Sequence, residues 1–194
     1  MVDKMAIKLV DRMKENNLIS ISDGEYYEYA LITMMERGIT VGTILLLGLL
    51  CRQVIPTICF LVFFLSLRKR TGGFHADKFW QCYLGTVITF VAVVGIAEIL
   101  SAKPAILLGM LFFSVIVIEV IGTINHPNMD MNVAELQEAK KSARIMVLLE
   151  LVIIIMLESL GLDGLYVTYM SIAVILCAIL LCFAKIIKQE VKVK

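Results

Sequence analysis

The sequence predicts an all-α polytopic membrane protein: about six transmembrane helices, preceded by an N-terminal amphipathic helix lying in the membrane interface. Three observations carry this. Hydrophobic residues make up 60% of the 194 and mean hydropathy is +0.90, against about 45–50% apolar in soluble domains. Apolar runs approaching the roughly 20 residues of one bilayer crossing recur along the chain. The lysines and arginines are sorted unequally among the gaps between those runs.

In chain order, Met1–Asn17 places Val2, Met5, Leu9 and Met13 on one helical face with Ala6 and Val10, lysines opposite, the pattern of an interfacial helix. "SDGE" reads as the next helix start, with Ser22 capping and Glu25 reaching back. Six apolar segments follow: Gly38–Cys51, Val54–Leu67, Cys82–Leu100, Pro104–Gly122, Ile145–Leu160 and Leu165–Ala184. The first two are short and parted by Arg52, Gln53 and Pro56, so they form a tight hairpin or extend at their outer ends; the first reaches back to Tyr29 if Glu36 and Arg37 find partners or sit at the interface. "SAKP" and "GLDG" are the turns after the third and fifth segments. The polar stretch Thr123–Arg144 is a loop in which "NVAELQEAKKSAR" reads as a short helix. The whole, 1–194, reads as one integral-membrane domain: an amphipathic region 1–37, a bundle 38–184 and a basic tail 185–194.

Orientation follows from the charges. With the N-terminus inside, every lysine and arginine except Arg52 and Lys103 lies on the cytoplasmic side, as the positive-inside rule requires. Five crossings would scramble that sorting; six, with both ends in the cytoplasm, preserve it. No signal peptide, internal repeat or separate soluble domain is visible, and nothing points to nucleic acid. The basic clusters suit anionic lipid.

The chemistry-bearing stretch is "RTGGFHADKFWQC", residues 70–82. Cys51, Cys59, Cys177 and Cys182 lie in apolar segments and read as small hydrophobes; no CxxC pair or metal-ligand spacing exists, so neither disulfide, metal nor cofactor is implied. Cys82 differs: it sits at the mouth of the third segment, with Arg68, Lys69, Arg70 and Lys78 nearby in sequence. Positive charge favours the nucleophilic thiolate, and His75 is a candidate base. On one continuous helix the seven-residue spacing separates the pair by about 10 Å, too far for contact. A catalytic pair therefore needs the chain to fold back, for which Gly72 and Gly73 supply the freedom; otherwise both residues merely line a helix end. His126, in the turn-like "NHPN", is a competing base. Glu98, Glu119, Glu150 and Glu158 fall in or near apolar spans, where ionisable groups mark function by default.

Arg70, Gly72, Gly73 and His75 in R-x-G-G-F-H order, then Cys82, within six apolar segments, resemble the accessory gene regulator B (AgrB) family, and the similarity covers the whole chain. The "GTINHPNMDM" loop departs from that family's A-P-V-x-x-x-N-K pattern, which leaves His126 without an implied role. The resemblance implies a multi-pass protein of the bacterial cell membrane, a homodimer, with its active site on the cytoplasmic side: a cysteine endopeptidase that cuts the C-terminal tail from an AgrD-like quorum-sensing propeptide and promotes thiolactone or lactone closure. It implies Cys82 as nucleophile and His75 as general base, with Arg70, Gly72 and Gly73 binding substrate or shaping the site. Asp77, Gln81 and Asn125 are open choices for orienting His75. Two readings of other classes stand beside it: a small transporter using the glutamates, and a non-catalytic scaffold or sensor subunit.

Overall fold

A lipid-facing backbone must satisfy its own hydrogen bonds, which leaves a chain of apolar runs little choice but helices. The computed structural model describes residues 2–16, 18–72, 79–125 and 131–188, and among these there is no strand. The elements are α1 (Val2–Glu15), a 3-10 turn (Ile21–Asp23), α2 (Gly24–Leu50), α3 (Val54–Thr71), α4 (Phe79–Ser101), α5 (Pro104–Ile121), α6 (Val133–Ser159) and α7 (Gly164–Ile186). Helices α2 to α7 contain the six apolar segments in order. Four of them, α2, α4, α5 and α7, are long and apolar enough to cross a membrane.

Two local expectations are corrected. Ser22 forms no capping box with Glu25: its hydroxyl shares a 2.7 Å contact with that of Ser20 and donates to Asp23, so a 3-10 turn precedes α2. The "NVAELQEAKKSAR" stretch is no separate short helix. It is the first half of α6, started by a capping box in which Asn132 accepts from the Glu135 amide and Glu135 accepts from the Asn132 amide, both at 2.9 Å.

The chain divides into two compact units, Met1–Leu46 and Leu47–Lys194. In the first, α1 buries Ala6 and Val10, while Met5 and Leu9 remain exposed. The second is built around α7, on which α3, α4, α5 and α6 all pack. A helix apolar on nearly every side belongs inside its neighbours, and α7 buries most of its residues between Val167 and Ala184, with Ile179 and Phe183 left exposed. Leu67, Leu111, Ile118, Val147, Ile154, Val174 and Leu181 form its core.

The short turns of this unit share one end. Cys51–Gln53 joins α2 to α3, Ala102 and Lys103 join α4 to α5, and Leu160–Asp163 joins α6 to α7. Tyr169 donates its hydroxyl to the Gln53 side chain there, and Pro104 opens α5 at a position where its missing N–H costs nothing. The α3–α4 and α5–α6 links consequently emerge together at the opposite end.

Candidate active site at the two links

Helix α3 ends in a basic turn, Arg68–Lys69–Arg70, followed by Gly72 at φ 63 and ψ −133. Side chains two residues apart on a helix point about 200° from one another, so Arg68 and Arg70 cannot serve the same neighbour.

Arg68 folds back and donates from Nη1 to the Gly72 carbonyl. It also lies within Coulombic range of Cys82 and Cys177. Cys177, buried on α7, sits 3.7 Å from the carbonyl of Phe64, one turn before Arg68 on the same face of α3. Cys82 is exposed in the first turns of α4, where the helix N-terminus favours an anion.

Arg70 points the other way, to α6. Its Nε donates to Ser142 Oγ at 3.1 Å and its Nη1 to the Ser66 carbonyl at 2.7 Å. The Ser66 hydroxyl lies 2.5 Å from Glu150 Oε1, joining α3 to a carboxylate that is almost wholly buried. Arg70 also lines an open groove of about 410 Å³ with Glu138, Lys141, Ser142, Ile145, Met146 and Leu149.

The α5–α6 link is stitched to the end of α3. Thr123 Oγ1 donates to the Arg70 carbonyl at 2.8 Å, and the Ile124 amide to the Thr71 carbonyl at 3.3 Å. Thr123, Ile124 and Asn125 are all buried. The Asn125 side chain accepts from the Met131 amide at 3.0 Å and donates to the Met131 carbonyl at 3.2 Å, which commits both ends of its amide there. Gln81 is exposed on α4. Gly73, His75, Asp77, Lys78 and His126 lie outside the described residues.

The four glutamates do not define a path. Glu98 and Glu158 stand near the turn end of α4 and α6, Glu119 near the link end of α5, and Glu150 in mid-α6. Sequence reasoning singled out Arg70 from the basic cluster; in the structure Arg70 bonds to Ser142 and to the Ser66 carbonyl, and Arg68 to the Gly72 carbonyl. Nothing local marked Thr123 or Ile124, whose partners are more than fifty residues away.

A family model described as "Accessory gene regulator B" matches residues 6–187. No curated protein and no solved structure matches the chain.

Proposed function

The chain belongs to the accessory gene regulator B family, and we propose on that footing that it is a cysteine endopeptidase of six membrane crossings, acting on an AgrD-like propeptide at the cytoplasmic interface. Membership of the family implies involvement in the processing of accessory gene regulator quorum-sensing peptides, and four span-capable helices accord with a membrane protein. The observation that carries the finer reading is Cys82: an exposed thiol in the first turns of α4, the helix that follows the basic end of α3 in the chain.

The mechanism follows from that placement. His75 takes the Cys82 proton, or holds a preformed thiolate. The sulfur attacks the scissile carbonyl, the C–N bond breaks, and the departing amine of the tail takes a proton from His75. This leaves a thioester on Cys82. A cysteine or serine of the propeptide then attacks the thioester, forming a thiolactone or lactone and releasing Cys82. Ring closure must outrun hydrolysis, which an interfacial site with restricted water favours.

Intact-mass analysis of an AgrD-type propeptide, incubated with the protein in liposomes, tests this. Wild type is expected to remove the tail, with an acyl adduct on Cys82, while Cys82→Ala and His75→Ala insert normally and leave the substrate whole. Cleavage by Cys82→Ala at the wild-type rate refutes the mechanism.

A further inference from the structure

Helix α6 has two faces. Ala143, Val147, Glu150 and Ile154 are buried against its neighbours. At 3.6 residues per turn, Ile145, Leu149, Val152 and Met156 stack on the opposite side, and each is at least half exposed. This apolar stripe runs for about 16 Å at the helical rise, close to the depth of one leaflet of a hydrocarbon core about 30 Å thick. The same face continues toward the start of α6 as Ser142, Lys141 and Glu138, all exposed.

The head of the stripe is the open groove of about 410 Å³, where Arg70 of α3 joins Glu138, Lys141 and Ser142. Arg70 is fixed there in advance, by Nε to Ser142 Oγ at 3.1 Å and by Nη1 to the Ser66 carbonyl at 2.7 Å, so a ligand need not order it. A guanidinium offers phosphate a planar fork and a lysine adds a point charge. Arg70 and Lys141 against Glu138 leave one positive charge in surplus. A headgroup with one net negative charge neutralises it, and a zwitterionic headgroup does not. Below the head the stripe offers apolar side chains alone. That suits a chain of methylenes, whereas an extended peptide would find no partners there for its amides. We propose that this groove is a binding site for an anionic phospholipid of the cytoplasmic leaflet, with its phosphate at Arg70 and Lys141 and an acyl chain along Ile145, Leu149, Val152 and Met156. Lipid held there moors the start of the 70–82 stretch at headgroup level. The inference rests on the reading that α6 crosses the membrane, and not on the role of Cys82.

The test uses the full chain in phosphatidylcholine liposomes carrying a trace of a photoactivatable phospholipid, with a diazirine on its acyl chain and either a glycerol or a choline headgroup. Adducts on residues 145–156 are mapped by mass spectrometry. Phosphatidylglycerol is expected to label the stripe about fivefold more than phosphatidylcholine, the effect of one net charge near the surface. Lys141→Gln, which cancels the surplus charge at an exposed position, is expected to bring the two lipids level, and Glu138→Gln to widen the preference. Equal labelling by the two lipids in wild type overturns the proposal, as does a preference that neither variant changes. Labelling by neither lipid overturns it together with the crossing of α6. Crosslinks from the stripe to a second copy of the chain, or to an added AgrD-type propeptide, in place of lipid adducts give the face to that protein and overturn it as well. Propeptide cleavage that persists in Cys82→Ala refutes the peptidase reading instead, and the lipid comparison still decides the groove.

Discussion

Replacing Gly72 by alanine isolates the backbone demand of the motif. At φ 63 and ψ −133 the residue occupies a region essentially reserved for glycine, costing other residues about 1–3 kcal/mol. The added Cβ would also sit 3.2 Å from the Ile124 oxygen, and Ile124 cannot retreat freely because its amide is bonded to Thr71. The backbone contribution alone corresponds to a roughly 5- to 150-fold loss of the native turn, the crowding adding to it. Gly85 in α4 is the control: a Cβ there meets nothing within 4 Å, and alanine in a helix gains about 0.5–1 kcal/mol over glycine. Cys82 alkylation and propeptide cleavage, measured for both variants alongside thermal unfolding, should fall for Gly72→Ala and hold for Gly85→Ala. Gly72→Asn should not rescue, because asparagine tolerates left-handed helical backbone and ψ −133 lies outside it. If Gly72→Ala matched Gly85→Ala in all three measurements, the turn would not be under the constraint described.

Three further outcomes are expected. Ser66→Ala should destabilise the protein by about 1–3 kcal/mol in detergent unfolding experiments, since it strands the buried Glu150 carboxylate, while after Glu150→Ala the Ser66 hydroxyl keeps the Phe63 carbonyl; the double variant should cost clearly less than the sum of the two, and additive losses would deny the contact. Arg68→Gln should slow Cys82 alkylation and Arg68→Lys should retain part of the rate, because lysine keeps the charge but not the fork that reaches the Gly72 carbonyl; equal rates in all three forms would remove Arg68 from the site. Asn132→Ala should cost about 0.5–2 kcal/mol through loss of the α6 cap, seen as a lower melting temperature with little change in the alkylation rate at 25 °C.

What was legible in the sequence is what depends on short-range pattern. The apolar segments, the turns at 101–104 and 161–164, and the turn at Gly72 all follow from composition or from neighbours a few residues apart. The start of α6 was legible too, in Asn132 and Glu135 at capping-box spacing, but the charged face of residues 133–144 disguised its continuity with the apolar stretch. Ser22 shows the converse: the right residues at the right spacing, diverted by Ser20 and Asp23. The partners of the motif were not legible. Arg70 reaches Ser142, Ser66 reaches Glu150, and Thr123 reaches Arg70; those pairings are decided by how α3, α6 and the α5–α6 link pack, and no local periodicity encodes them.

The same pairings bear on how many helices cross the membrane. Helices α3 and α6 fall short of the four span-capable ones because of charged residues: Arg68, Lys69 and Arg70 in α3, and Arg144, Glu150 and Glu158 in α6. An unpartnered charge argues against a crossing because desolvation is costly. Here the deepest of them, Glu150, is received by Ser66 on the facing helix within Coulombic range of Arg70. Arg68 and Arg70 sit in the last turn and bend back onto the carbonyls of Gly72 and Ser66, and Arg144 donates to the Glu119 carbonyl at 2.8 Å. Arg68, Arg70, Arg144 and one oxygen of Glu150 thus find partners inside the bundle or at its end, and the contacts of Arg70 with Ser142 and of Glu150 with Ser66 join α3 to α6. With the short turns at one end and both links at the other, this pairing accords with the six crossings and the cytoplasmic link end proposed above, beside the four helices that are span-capable by length and composition.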